Sequence, residues 1–222
     1  MAHVLLLGMT LSGKTHKAKA LSHDYKNAGV GVLVLDPLRD PGWSADFITD
    51  DPDEFLNVYW NSRGCMAFMD EGGESVGRYD VTMQKTATRG RHWGHTNHYI
   101  AQRATQLAPL VRDQCTRLFL FCSSTKDGEV LAREWNRPEL EGCSQLKQGE
   151  YYYAVKMGSI STNRRSVQNG SVPDHRRAVD DRDGSHRESR PGKTRVRSKG
   201  AATGQDGQNT TGRTGEGVDT TD

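Results

Sequence analysis

Beyond Tyr153 the sequence contains no Phe, Trp, Tyr or Leu. From about residue 160 onward it is mostly Gly, Thr, Ser, Asp and Arg, with scattered Val and Ala. A segment so short of large apolar side chains cannot bury enough surface to offset its chain entropy. That excludes a second hydrophobic core there. It predicts one folded domain at 1–158 and a disordered, mixed-charge tail at 159–222.

Charge of one sign is also missing. Thirty Lys and Arg face 28 Asp and Glu, a net of +2, so global electrostatics selects no partner. The tail does carry local basic clusters, at Arg164 and Arg165, at Arg176 and Arg177, and across 190–199. Clusters of this kind hold phosphate backbones loosely or stay solvated. The four cysteines, Cys65, Cys115, Cys122 and Cys143, include no C-x-x-C pair. This argues against a zinc site or disulfide framework and for free thiols in a reduced, intracellular protein. No apolar run approaches the length that crosses a bilayer, and no basic segment precedes a long apolar run, so neither a span nor a signal peptide is expected. No internal repeat is visible.

What is present begins at residue 4. The apolar run at 4–7 reads as a buried parallel strand. It leads into Gly8-Met9-Thr10-Leu11-Ser12-Gly13-Lys14-Thr15, the pattern G-x-x-x-x-G-K-[ST], and a Lys- and Ala-rich helical stretch follows at 14–26. Strand, glycine loop and helix in that order form a phosphate-binding loop. Its backbone N–H groups turn inward around a phosphate, and the helix N-terminus adds partial positive charge. Lys14 is expected at the β and γ phosphates of ATP, and the Thr15 hydroxyl at Mg²⁺.

Further strands are expected at 30–35, 65–69, 97–101, 116–122 and 150–157. Helices are expected at 52–62, 79–91, 104–113 (broken or bent at Pro109) and 128–135. Strands interleaved with helices predict an α/β fold with a mostly parallel central sheet. The strand at 65–69 delivers Asp70 and Glu71 at its C-terminal end, where ligands bind in open α/β sheets. Asp70 suits the Mg²⁺ shell and Glu71 the water that attacks the γ-phosphate, although the two could exchange roles. His92, His95 and His98 have a metal-like rhythm, but the series crosses a helix-to-strand junction and reads as polar loop residues. Tyr151, Tyr152 and Tyr153 read as a strand at the sheet edge.

The segment from Arg91 to Phe121 holds a basic helix end, a glycine turn (Arg91-His92-Trp93-Gly94), a strand ending in Gln102-Arg103, a helix and another apolar strand. With the two nucleotide motifs and Asp36-Pro37, this resembles the FtsK–HerA superfamily of DNA-pumping ATPases over about residues 1–135. It is most similar to the genome-packaging ATPases of membrane-containing double-stranded DNA viruses. The resemblance implies a RecA-like P-loop NTPase, ATP and Mg²⁺ as ligands, and a homo-oligomeric ring expected to be a hexamer. It further implies double-stranded DNA as cargo, viral capsid or portal vertex proteins as partners, and work in the host cytoplasm and at the packaging vertex. It makes Gln102 the sensor of the γ-phosphate and Arg91 the finger inserted into a neighbouring subunit's site, with Arg89, Arg103, Arg112 and Arg117 as competitors. Many relatives carry an extra DNA-binding domain or a membrane anchor, and neither is visible here. Rival readings are a filamentous-phage assembly ATPase of the zonula-occludens-toxin type, a P-loop nucleoside or nucleotide kinase, and a nucleotide-gated scaffold.

Overall fold

A computed structural model describes residues 3–70 and 81–164. The segment His-Val-Leu-Leu-Leu forms β1 (His3–Leu7), and all five of its side chains are buried. A strand apolar on both faces has to be covered on both faces, which places it inside a sheet. β1 indeed sits between β5 (Thr96–Ala101) and β6 (Cys115–Phe121), parallel to both. The remaining strands are β2 (Val32–Leu35), β3 (Phe47–Thr49), β4 (Met66–Met69), β7 (Tyr151–Val155) and β8 (Ile160–Asn163). The sheet runs β3-β2-β4-β5-β1-β6-β7-β8, with the first six strands parallel. The β6–β7 and β7–β8 pairs are antiparallel.

Alternation along the strands divides the core into two layers. Val4, Leu6, Val32, Val34, Phe68 and Ile100 pack with Ala18, Leu21 and Tyr25 of α1 (Lys14–Asn27). Leu5, Leu7, Leu33, Met69, Tyr99 and Leu120 face the other way. They meet α2 (Pro52–Asn61), α3 (Val81–Arg89), α4 (Pro109–Gln114) and α5 (Thr125–Trp135). Local chemistry sets the helix starts. Pro52 occupies the first position of α2, and the Asp51 carboxylate accepts from the Asp53 and Glu54 amides at 2.8 and 3.5 Å. At α5 the Ser124 hydroxyl accepts from the Asp127 amide at 3.1 Å. Both are side-chain caps for N–H groups that the helix itself leaves unpaired.

Several expectations shift. β3 was not legible, because three residues at the sheet edge, with Ile48 47% exposed, carry no period. The helix expected at 104–113 is a 3₁₀ turn (Ala104–Gln106) followed by α4, with Pro109 opening α4 rather than bending a longer helix. β7 is not at the edge: β8, polar and lying past residue 158, pairs outside it. Glu71, the expected helix start at 79–80 and the expected tail from residue 165 onward lie outside the described residues. Among the described residues no helix is long and apolar enough to cross a membrane.

Candidate active site

The loop between β1 and α1 is anchored to both neighbours of β1. The Gly8 amide donates to the Ala101 carbonyl at the end of β5 at 3.4 Å. The Met9 amide donates to the Cys122 carbonyl just past β6 at 2.8 Å. Gly8 has a φ of 153°, and a Cβ there would meet Phe121 Cβ at 2.7 Å and the Cys122 carbonyl at 3.0 Å, so only glycine fits. Gly13, with φ 111°, precedes α1 without any side-chain cap, which leaves the first-turn N–H groups to a ligand. Leu11 adopts φ 62°, and with Met9 it stands exposed at the loop's crest.

Inside the loop, Lys14 is 7% exposed and its Nζ donates to the Met9 carbonyl at 3.0 Å, folding the ammonium back across the loop. Thr15 is half-buried in the first turn of α1. Ser12 is 3% exposed, and its hydroxyl has no hydrogen-bond partner among the described residues. A buried hydroxyl left over inside a loop of this kind is one that a bound phosphate oxygen can satisfy.

The other candidates share this edge of the sheet. Leu7 pairs with Ala101, so Gln102 lies level with Gly8. Met69 pairs with Tyr99, which puts Asp70 at the same end, two strands from β1. Asp70 is 5% exposed, and its amide donates to the Leu35 carbonyl at 2.9 Å. Gln102 is half-buried. Gln106 Oε1 accepts from the Gln102 and Arg103 amides at 3.1 and 2.9 Å, fixing the backbone at that tip.

Arg91 is elsewhere. It lies exposed on a 3₁₀ turn (Gly90–Trp93) that leads into the start of β5, at the sheet edge opposite the loop. The six residues of β5 separate the two ends by about 20 Å. Arg91 therefore does not reach the loop of its own chain. Of its competitors, Arg112 is buried: Nε and Nη2 donate to the two Glu134 oxygens at 3.0 and 2.6 Å, and Nη1 donates to the Ala104 and Leu107 carbonyls. That guanidinium is committed to the core. Arg117 lies within β6 opposite Val4, Arg89 is exposed on the last turn of α3, and Arg103 is exposed beside Gln102.

The histidine series is not a loop feature. His95 and His98 are fully buried and only His92 is exposed. Three residues apart in extended chain, His95 and His98 face opposite sides of the sheet. His95 accepts from the Cys65 amide through Nδ1 and donates to the Tyr59 carbonyl through Nε2. His98 stacks on Phe68 with ring centroids 4.3 Å apart. Burial pushes the His98 imidazole down to about 3 and that of His3 to about 4. No group of three metal-capable side chains occurs among the described residues. The tyrosines of β7 serve packing, with Tyr151 against Phe119 and Phe121 and the Lys17 ammonium above Phe119 and Tyr151.

Sequence reasoning missed one participant, the turn at 147–150. The Gly149 amide donates to the Ser12 carbonyl at 2.9 Å, although the two residues are far apart in the chain. Nothing in the turn's own residues signals that contact.

No family model matches the sequence, and no curated protein matches it. Solved structures do. The genome-packaging NTPase B204 from Sulfolobus turreted icosahedral virus 2, in complex with AMPPCP, matches with a TM-score of 0.62 at 16% identity, over 73% of this chain and 97% of that one. VirB4 of Thermoanaerobacter pseudethanolicus matches with a TM-score of 0.59 at 13% identity, over 77% of this chain and 90% of that one. The pCW3 conjugation coupling protein TcpA, with ATPγS, matches with a TM-score of 0.58 at 12% identity, over 72% of this chain and 59% of that one. At these identities the likeness is one of fold: the chain shares an α/β, RecA-like fold with these structures.

Proposed function

We propose that the protein hydrolyses ATP and uses it to move double-stranded DNA, packaging a viral genome into a preformed capsid as a homo-oligomeric ring. The observation that carries the ATPase reading is the strand order β4-β5-β1, which gathers Asp70, Gln102 and the loop at one sheet edge. Lys14 and the loop amides hold the β and γ phosphates, Glu71 orients the attacking water, and Gln102 senses the γ-phosphate. A hydroxyl and a carboxylate are the hard oxygen donors that Mg²⁺ prefers, and Thr15 and Asp70 would hold it. Bound there, the ion neutralises charge on the phosphates.

The ring reading rests on Arg91. It is exposed at the strand ends opposite its own loop, which supports a role at a neighbour's site. A guanidinium supplied in trans makes turnover depend on assembly. The packaging reading draws on the fold's likeness to a viral genome-packaging NTPase, with VirB4 and a conjugation coupling protein among the other similar structures. DNA, and capsid or portal vertex proteins, are the partners proposed.

The test is ATP hydrolysis by the purified protein, with and without double-stranded DNA, over a range of protein concentrations. Turnover that climbs steeply with both supports a trans-completed motor. Turnover indifferent to both, and appearing only when a nucleoside or nucleotide acceptor is added, replaces the motor with a kinase.

A further inference from the structure

The loop has two flanks. On one side of β1 stand β5 and β4, bearing Gln102 and Asp70. On the other stand β6 and β7. A triphosphate is a linear chain gripped at its middle by the loop. If its γ end faces Asp70 and Gln102, its α-phosphate, ribose and base run toward β6 and β7.

That flank holds a built feature. β7 is antiparallel to β6, with Tyr151 paired to Phe121, so the chain enters β7 at the loop's edge of the sheet. It enters through the turn at 147–150. The Lys147 amide donates to Glu150 Oε2 at 2.9 Å, and the Glu150 amide donates to the Lys147 carbonyl at 3.0 Å. Glu150 and Leu146 are buried, which roots the turn at both ends. Gly149, at φ 82°, presents its N–H to the Ser12 carbonyl, and a Cβ on Gly13 would come within 3.3 Å of the Gly149 Cα. The turn thus rests directly on the phosphate loop. The residues it leaves exposed beside that loop are Lys147 and Gln148. The buried Ser12 hydroxyl, without a partner among the described residues, independently marks the loop as a place where a ligand atom is expected.

We infer that the turn at 147–150 is the wall of a nucleoside subsite, in which the Gln148 amide hydrogen-bonds the edge of a purine base. A carboxamide carries a donor pair and an acceptor on one planar group, matching the adjacent donor and acceptor on a purine edge. A turn pinned by the Ser12 contact holds that amide at a set distance from the phosphates, which a free hairpin tip does not. This inference rests on the nucleotide reading above and adds the residue that recognises the nucleoside half of the substrate.

The test compares two ligands, ATP and inorganic tripolyphosphate, by calorimetric titration of the full chain. Tripolyphosphate has the phosphates and no nucleoside. The wild-type protein should bind ATP more tightly than tripolyphosphate. Gln148→Ala should weaken ATP by about tenfold and leave tripolyphosphate unchanged. Gln148 is exposed, so the variant should melt where the wild-type protein does. Gln148→Leu, which keeps the bulk and removes the amide, should lose ATP affinity equally. ATP affinity unaltered in both variants, equal weakening of both ligands, or equal wild-type affinity for the two ligands overturns the subsite. Wild-type protein that binds neither ligand overturns the nucleotide reading itself, a different failure with a different signature.

Discussion

The α-carbon of Gly90 packs against the hydroxyl of Tyr59 so closely that a Cβ on Gly90 would overlap it. That hydroxyl donates to Asn97 Oδ1 at 3.0 Å, near the start of β5, the strand that leads to Gln102. Asn97 Nδ2 donates to the Thr86 carbonyl of α3 at 2.8 Å and to the Tyr99 hydroxyl at 3.0 Å. The backbone carrying Arg91 is therefore seated on β5 by a buried, satisfied polar cluster.

Gly90→Ala should lower stability by about 1–3 kcal/mol, the usual cost of forcing an extra carbon into a packed interior. Combining it with Tyr59→Phe should cost less than the sum of the two single changes, since the phenyl ring removes the clashing atom. Chemical denaturation of the four proteins in the cycle measures this, and strict additivity would show that the contact carries no energy.

Arg91 and Arg112 should behave in opposite ways. Arg112→Ala leaves Glu134 and two carbonyls without their donor and should cost about 3 kcal/mol of stability. Arg91→Ala, at an exposed site, should leave the melting temperature unchanged and reduce turnover by on the order of 10³-fold. Mixing Arg91→Ala subunits with Lys14→Ala subunits should restore part of the activity. Absence of rescue at every ratio counts against a finger acting in trans.

Lys14→Ala should abolish ATP binding, because the ammonium that lies over the loop is the charge proposed to meet the phosphates. Glu71→Gln should bind ATP and fail to hydrolyse it, with kcat reduced by on the order of 10²-fold or more. Equilibrium binding and single-turnover hydrolysis separate the two defects. Full turnover by the glutamine variant would assign the water to another residue, Asp70 being the first to test.

Acid should destabilise the domain earlier than its carboxylates alone would. His98 is held down to about 3 and His3 to about 4, in both cases chiefly by burial, and burial also lowers His95. In the unfolded chain a histidine titrates at about 6.5. Below that pH the unfolded state binds protons that the folded state refuses, so stability falls as pH drops. Each such group contributes about 1.4 kcal/mol per pH unit until its folded value is reached. Above about pH 7 these groups contribute no slope. Melting curves between pH 7.5 and 5 read the effect, and His98→Gln should flatten it.

The stretch from β1 through the loop to α1 was legible in the residues themselves. An apolar run buried on both faces, glycines where a Cβ would clash, and a helix start without a cap are consequences of short-range sterics and hydrogen bonding. The positions of Asp70 and Gln102 at strand ends were legible for the same reason. Edges and long-range pairings were not. β3 and β8 have no periodicity of their own and exist because a neighbouring strand offers unpaired backbone groups. His95 and His98 read as polar yet sit in the core, because the elements packed around them hydrogen-bond both nitrogens of the His95 ring and stack Phe68 on that of His98.

By itself the sequence determined the phosphate loop and the strands that deliver Lys14, Thr15, Asp70 and Gln102, since each depends only on neighbours a few residues away. The tertiary structure alone decided that Arg91 lies across the sheet from its own loop, that Arg112 is bound up in the core, and that Gly149 rests on Ser12. Those relations follow from the order in which strands pair, which is selected by the packing of the whole domain and is written in no local stretch of chain.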